Sequence, residues 1–210
     1  MSLAQINFRR ITNVVLDLGG VLYAIDPGLT ATALQGLAGP NARHLQHDDE
    51  LFLALEMGLI TPEEFRTKLR LAIHSTATDS EIDKAWNALL LGVIAGREEW
   101  IRRLNGQYRV ILLSNTNVIH QQVWGPQCAG MFAMMEQAWF SFDLRLRKPN
   151  RSIYEHVLQA MGMQPADSLF LDDSPANIDG AKAAGMQAGW VDPQDDVNFE
   201  RYCLELLNKT

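Results

Sequence analysis

Three groups of polar residues stand directly after short apolar runs, where they could act together on a ligand. They are Asp17 after residues 14–16, Ser114-Asn115-Thr116-Asn117 after residues 110–113, and Asp172-Asp173 after residues 169–171. An ionised carboxylate at Asp17 can act as a nucleophile and form an acyl-type intermediate such as an aspartyl phosphate. The adjacent acids Asp172 and Asp173 repel each other, and a hard divalent cation such as Mg²⁺ relieves that repulsion. These residue types point to nucleophilic chemistry beside a metal ion.

Two further features could hold an anion. The hydroxyl and amide groups of residues 114–117 precede a helical pattern, and the free N–H groups at a helix start can cradle an anion. Lys148 stands before Pro149, which disfavours helical geometry at the lysine and leaves it in an extended segment. A lysine presented in this way could neutralise charge between a carboxylate nucleophile and a phosphate.

Each feature also has a plainer interpretation. Asp17 can cap a local turn, one residue of 114–117 is enough to cap a helix, and Asp172 with Asp173 can face a helix dipole. Lys148 with its neighbour Arg147 can be solvated surface. Taken singly, the features leave these alternatives open.

The apolar runs predict the secondary-structure elements that must position these residues. Each run is short and does not alternate with polar residues, which predicts strands buried on both faces. Helical patterns lie between the runs, which predicts an α/β protein with a parallel sheet and crossover helices. Ligands bind such a sheet outside the carboxyl ends of its strands. All three polar groups are expected at that edge.

The first and second runs lie much farther apart than a crossover requires. Residues 26–96 are therefore predicted to be an insertion, and residues 1–25 and 97–210 the core. Capping boxes at Thr61 and Thr78 predict helix starts within the insertion. Apolar residues follow each box at helical spacing, and after Thr78 they extend to Leu90 and Val93. The insertion is expected to be a small helical bundle.

The composition narrows the class of protein. The chain has 210 residues, a formal net charge of −7 and a pI near 5.2. This acidity argues against nucleic acids and anionic membranes as partners. Cys128 and Cys203 are too few for a disulfide framework, and free buried thiols fit a cytoplasmic protein. The sequence shows no targeting segment or membrane span, and it leaves the oligomeric state open.

Four motifs in this order resemble those of the haloacid dehalogenase-like hydrolases. They are residues 17–22, residues 113–117, Arg147-Lys148-Pro149, and residues 170–177. The resemblance covers the whole chain and implies a Rossmann-like core with an inserted helical cap. It extends to bacterial members similar to α-D-glucose-1-phosphate phosphatase, which share the Asp-Leu-Gly variant, the run 114–117 and the stretch 153–159.

The resemblance also implies an activity, the Mg²⁺-dependent hydrolysis of a small phosphorylated metabolite such as a sugar phosphate. Asp17 would attack phosphorus, and Lys148 would bridge the phosphate and the nucleophile. Ser114 and the Asn115 N–H would hold phosphate oxygens. The metal ligands would be Asp17, the carbonyl of Gly19, and Asp173, with Asp172 in or near the coordination shell.

One departure from the family pattern concerns proton transfer. Gly19 stands where family phosphatases usually carry an aspartate that acts as general acid and then base. We expect a slower enzyme, or a leaving group that needs little protonation. Asp26, Glu56 and His47 are candidate substitutes from the insertion. The departure keeps open a member that binds a ligand without turnover.

One alternative chemistry and one further residue also bear on the candidate site. A metal-independent 2-haloacid dehalogenase would use the same nucleophile, but it has no need of the Asp172-Asp173 pair. Arg145 stands where relatives often have glycine, so the turn that leads to Lys148 is expected to be perturbed.

Overall fold

The computed structural model describes residues 3–43, 45–46, 48–195 and 197–209. A five-stranded parallel sheet lies at its centre, in the order β5-β4-β1-β6-β7, and a separate two-stranded sheet pairs β2 with β3. The strands are β1 (Asn13–Leu16), β2 (Tyr23–Ile25), β3 (Leu90–Val93), β4 (Arg109–Ser114), β5 (Gln137–Phe140), β6 (Ser168–Asp172) and β7 (Gln187–Trp190).

The three apolar runs form the middle of the parallel sheet. Strand β1 lies between β4 and β6, and Leu16 pairs with Leu112 on one side and Leu171 on the other. All four residues of β1 and all five of β6 are buried, as expected for strands covered on both faces. This register brings the carboxyl ends of the three strands together at one edge. The predicted α/β fold with a parallel sheet is confirmed.

Helices cover both faces of the sheet and fill the insertion. They are α1 (Pro27–Leu37), α2 (Glu50–Glu56), α3 (Pro62–Ala72), α4 (Asp79–Trp86), α5 (Arg97–Asn105), α6 (Val118–Phe132), α7 (Ser141–Leu144), α8 (Arg151–Ala160), α9 (Pro175–Ala183) and α10 (Asn198–Leu207). Two buried apolar clusters lie against the sheet, one of them beneath α8 and α9. Among the described residues, no helix is long and apolar enough to cross a membrane.

Helices α1 to α4 have an apolar cluster of their own, called the insertion cluster below. Its aromatic members are Phe52, Phe65 and Trp86, with ring centroids 4.7 to 6.2 Å apart. Both predicted capping boxes form, at Thr61 and at Thr78. Ile119 of α6 is buried in the same cluster. The insertion is therefore packed onto the helix that follows β4.

Two parts of the secondary structure differ from prediction. The spacing predicts that the helix begun at Thr78 includes Leu90 and Val93, but α4 ends at Trp86 and both residues belong to β3. Gly92 has φ 126°, outside the helical region, and Leu90 pairs with Ile25 of β2. The edge strand β5 was not predicted, because it is short and pairs only with β4 in the described sheet.

Candidate active site

The structure gathers the predicted polar residues at the carboxyl edge of the sheet. Asp17 directly follows β1, Ser114 ends β4, and Asp172 ends β6 with Asp173 next along the chain. Oxygen atoms of Asp17, Asp172 and Asp173 all lie within 4.8 Å of one another. Asp172 and Ser114 are buried, and Asp17 is only 7% exposed. Three carboxylates share one small volume that is largely closed to solvent.

Lys148 enters the same volume from the loop before α8. Its side chain is fully buried, with Nζ 2.8 Å from Asp17 Oδ1 and 2.7 Å from Asp172 Oδ2. A lone ammonium in this environment would be very costly, and the two carboxylates compensate it. The solvated-surface interpretation of Lys148 is therefore wrong. Its ammonium group places a positive charge between two carboxylates of the acidic cluster.

The side chain of Asn115 holds the main chain of Lys148. Its Nδ2 donates to the Lys148 carbonyl oxygen at 2.9 Å, and its Oδ1 accepts from the Lys148 N–H at 3.0 Å. Two reciprocal hydrogen bonds fix the loop that aims the lysine at Asp17. Sequence reasoning missed this contact because it joins two separate motifs. The predicted contact of the Asn115 N–H with phosphate stays a prediction.

The residues of the 114–117 segment make different contacts. Asn117 caps α6, because its Oδ1 accepts from the N–H groups of Ile119 and His120. The Thr116 N–H donates to Ser141 Oγ at 3.0 Å. Ser114 Oγ lies 3.4 Å from the Asn115 carbonyl oxygen, a long contact that leaves its hydroxyl able to bind a ligand. The binding of phosphate by Ser114 stays a prediction.

The turn after β6 fixes the two acids in different ways. Both oxygens of Asp172 accept hydrogen bonds, from Lys148, the Ser174 N–H and Asn177. Asp173 instead packs against the backbone of Gly20, where an added Cβ would lie 2.1 Å from Asp173 Oδ2. Gly20 also has φ 72°, so this position requires glycine for two reasons.

The charges of the cluster respond to burial and to one another. Burial raises the pKa of Asp17 to about 8; Lys148 opposes that rise, while Asp172 and Asp173 add to it. Burial, then Asp172, raises the pKa of Asp173 to about 6. Burial lowers the pKa of Lys148, but attraction to Asp17 and Asp172 outweighs it and the pKa rises above its ordinary value. One ammonium does not balance three carboxylates, so the cluster has the donor set and charge for a hard divalent cation.

The structure also locates Gly19 and its candidate substitutes. A Cβ on Gly19 would lie 3.0 Å from Ile25 Cδ1, so an apolar side chain adjoins this position. Asp26 caps α1 through the Gly28 N–H. Glu56 pairs with Arg147 at 3.2 Å. His47 lies outside the described residues.

Arg145 occupies the turn between α7 and Lys148. It has φ 54°, in the left-handed region where a side chain is strained and glycine is favoured. A glycine at this position would suit the backbone better than arginine does.

Comparisons with known proteins identify the family of this chain. The family model of haloacid dehalogenase-like hydrolases matches residues 11–185. D-ribitol-5-phosphate phosphatase of Bacteroides thetaiotaomicron is 28% identical over 209 residues, covering 94% of this chain and 99% of that protein. The structure of a protein of Porphyromonas gingivalis described as a predicted HAD-like family hydrolase superposes with a TM-score of 0.85 at 28% identity, covering 96% and 100% of the two chains.

A second solved structure holds ligands. It is a HAD family enzyme of Bacteroides thetaiotaomicron in complex with magnesium and inorganic phosphate, with a TM-score of 0.79 and 29% identity over 88% of this chain and 96% of that one. The chain belongs to the haloacid dehalogenase-like hydrolases. Within that class it is a phosphatase, as its similarity to phosphatases over nearly the full length indicates.

Proposed function

We propose that this chain is a Mg²⁺-dependent phosphatase that hydrolyses a small phosphorylated metabolite through an aspartyl-phosphate intermediate on Asp17. The observation that carries the proposal is the position of Asp17 at a strand end, 2.8 Å from the buried Lys148 Nζ and beside two further carboxylates. Sugar and polyol phosphates are the proposed substrate class. A relative acting on D-ribitol 5-phosphate supports it.

We assign a role in this reaction to each residue of the site. Asp17 attacks phosphorus and the ester oxygen departs, after which water releases phosphate and regenerates the carboxylate. Lys148 offsets repulsion between the Asp17 carboxylate and the incoming phosphate. Ser114 Oγ and the Asn115 N–H bind phosphate oxygens. The Asn115 side chain acts indirectly, because it holds Lys148 in place.

The residues present fit Mg²⁺, which prefers oxygen ligands and commonly uses few carboxylates. Asp17, Asp173 and the Gly19 carbonyl are the proposed direct ligands. Asp172 completes the acidic cluster, and its hydrogen bonds also orient Lys148 and the turn after β6. A bound Mg²⁺ supplies positive charge to the phosphate oxygens. A relative whose structure contains magnesium and phosphate supports this assignment.

The remaining parts of the proposal concern the insertion and the leaving group. We propose residues 26–96 as a cap over a core of residues 1–25 and 97–210. With glycine at position 19, we expect esters with acidic leaving groups to be the better substrates. The shared acidic cluster argues against a metal-independent dehalogenase, since such chemistry leaves three carboxylates in one volume with the single ammonium of Lys148 as their described counterion.

The test is phosphate release from p-nitrophenyl phosphate and from a panel of sugar and polyol phosphates, each with Mg²⁺ or EDTA. The variant is Asp17→Asn, and the exposed Asp179→Asn on α9 is the matched control. We expect hydrolysis that requires Mg²⁺, is lost in Asp17→Asn and persists in the control. Hydrolysis that survives Asp17→Asn would contradict the mechanism. A wild type that binds phosphate but hydrolyses no ester would indicate a binding protein.

A further inference from the structure

The peptide group between Asp173 and Ser174 is hydrogen-bonded at both ends. Its carbonyl oxygen accepts from the indole Nε1–H of Trp190 at 2.7 Å. Its N–H donates to Asp172 Oδ1 at 2.8 Å. Trp190 ends the edge strand β7, where it pairs in register with Asp172. A single peptide group therefore links the edge of the sheet to the acidic cluster.

Both the main chain and the ring of Trp190 are held by neighbouring elements. The Trp190 carbonyl accepts from the Tyr202 hydroxyl of α10 at 3.1 Å. The next residue, Val191, donates its N–H to the Asp172 carbonyl oxygen at 2.9 Å. The half-buried ring packs against the apolar cluster beneath α8 and α9. With its main chain fixed on both sides, Trp190 presents its N–H to one place.

The hydrogen-bonded chain continues to the nucleophile. Asp172 Oδ2 accepts from Lys148 Nζ at 2.7 Å, and the same ammonium contacts Asp17 Oδ1 at 2.8 Å. Hydrogen bonds connected through an amide polarise one another in a buried setting. The orientation of the peptide after Asp173 also limits the directions its side chain can take.

We infer that Trp190 is a positioning residue for the metal-binding turn of Asp172 and Asp173, and that its indole N–H reports occupancy of the site. The inference rests on the Mg²⁺ site of the proposed function. Loss of a partner that orients metal ligands from outside the coordination shell typically weakens metal affinity by about 10- to 100-fold. Because Trp190 acts through a backbone carbonyl, we expect an effect at the lower end of that range, about tenfold.

The chain offers a matched control on the opposite edge of the sheet. Trp139 lies in β5 and packs against the same apolar cluster as Trp190. Its indole Nε1 is buried without a hydrogen-bond partner among the described residues. Trp139→Phe therefore removes the same atoms as Trp190→Phe but breaks no described hydrogen bond.

The first test is calorimetric titration of Mg²⁺ into the wild type, Trp190→Phe and Trp139→Phe. We expect the Mg²⁺ Kd of Trp190→Phe to rise about tenfold, and that of Trp139→Phe to stay within about twofold of the wild type. At saturating Mg²⁺, kcat of Trp190→Phe should return to near the wild-type value while its Mg²⁺ requirement stays raised. Wild-type Mg²⁺ affinity in folded Trp190→Phe would overturn the inference.

The second test needs no substitution at residue 190, so it still tests the role of Trp190 if Trp190→Phe fails to fold. The ¹H–¹⁵N indole signals of the five tryptophans, assigned by through-bond and through-space connectivity, are followed as Mg²⁺ is added. We expect the Trp190 signal to shift more than that of Trp139. An unmoved Trp190 signal in a protein that binds Mg²⁺ would overturn the inference alone. No Mg²⁺ binding to the wild type would overturn the proposed metal site and the inference with it.

Discussion

The carboxyl edge of the sheet and the insertion cluster are buried regions built on opposite principles. At the edge, Asp17, Lys148 and Asp172 are held by charge and by hydrogen bonds of 2.7 to 2.8 Å. In the insertion, the rings of Phe65 and Trp86 pack against each other, and the capping boxes at Thr61 and Thr78 lie at the surface. The arrangement at the edge depends on the directions of hydrogen bonds and on charge, whereas the insertion cluster depends on how completely side chains fill its interior.

The two regions meet on α6. Ile119 is buried in the insertion cluster, and the His120 ring stacks on Trp86 with centroids 5.2 Å apart. Both residues follow closely after the 114–117 segment of the candidate site. The two regions should therefore respond differently to substitution. Changes at the edge should alter catalysis more than folding, and changes in the cluster should alter folding more than catalysis.

The largest expected effect on folding comes from Phe65→Ala. Phe65 is fully buried beside Phe52 and Trp86, so the change leaves a cavity. We expect the free energy of unfolding to fall by about 3–5 kcal/mol in denaturant titrations. The exposed Leu71→Ala on α3 is the control and should change it by less than about 0.5 kcal/mol. A loss below about 1 kcal/mol for Phe65→Ala would show that the cluster does not depend on packing.

The corresponding change at the edge is Lys148→Met, which keeps much of the side-chain volume and removes the ammonium. We expect kcat/KM for p-nitrophenyl phosphate to fall by about 10²–10³-fold, because repulsion between Asp17 and the phosphate is no longer offset. The exposed Lys68→Met is the control. Steady-state kinetics on folded protein, checked by circular dichroism, measure the effect. Equal activity in the two variants would remove Lys148 from the mechanism.

The contact between the two regions should depend on pH through His120. Burial lowers the pKa of His120 from 6.5 to about 3, so the imidazole is neutral in the folded protein at neutral pH. At a pH between these two pKa values, residue 120 binds more protons in the unfolded chain than in the folded protein. The folded protein therefore loses stability as the pH falls below the unfolded pKa of 6.5. We expect this group to contribute a loss of about 2 kcal/mol between about pH 7 and about pH 5.

Denaturant titrations of the wild type and His120→Gln across this pH range provide the measurement. Glutamine has no proton to gain, so the variant should be less stable at neutral pH but less sensitive to acid. Its neighbours Trp86 and Asn87 carry no charge and do not titrate in this range. An unchanged pH slope in the variant would contradict the lowered pKa, because it would show that His120 binds protons equally in the folded and unfolded states.

The smallest effect is expected from Arg145→Gly. The left-handed backbone at Arg145 is strained, and glycine relieves that strain at some cost in chain entropy. We expect a gain of up to about 1 kcal/mol in the free energy of unfolding, with little change in kcat/KM. A thermal melt measures it. A destabilised variant would mean that contacts of the arginine side chain outweigh the strain.

The same contrast explains what the sequence could predict. The three central strands are recognisable because each contains a short apolar run that is buried on both faces, and the acids and Ser114 directly follow these runs. The contacts of Asn115 with Lys148 and of Trp190 with Asp173 join residues far apart in sequence, and no local pattern encodes them. Strand β3 is hidden for a different reason, because Leu90 and Val93 also fit helical spacing.

The central claim is that Asp17 itself becomes phosphorylated. The most direct test starts with the enzyme turning over p-nitrophenyl phosphate in the presence of Mg²⁺. The reaction is quenched during turnover, the protein is reduced with borohydride, and its peptides are analysed by mass spectrometry. Borohydride converts an aspartyl phosphate to homoserine, so we expect homoserine at position 17. The modification should be missing without substrate and in Asp17→Asn. Active enzyme whose residue 17 remains unmodified aspartate, or homoserine at another position, would contradict it.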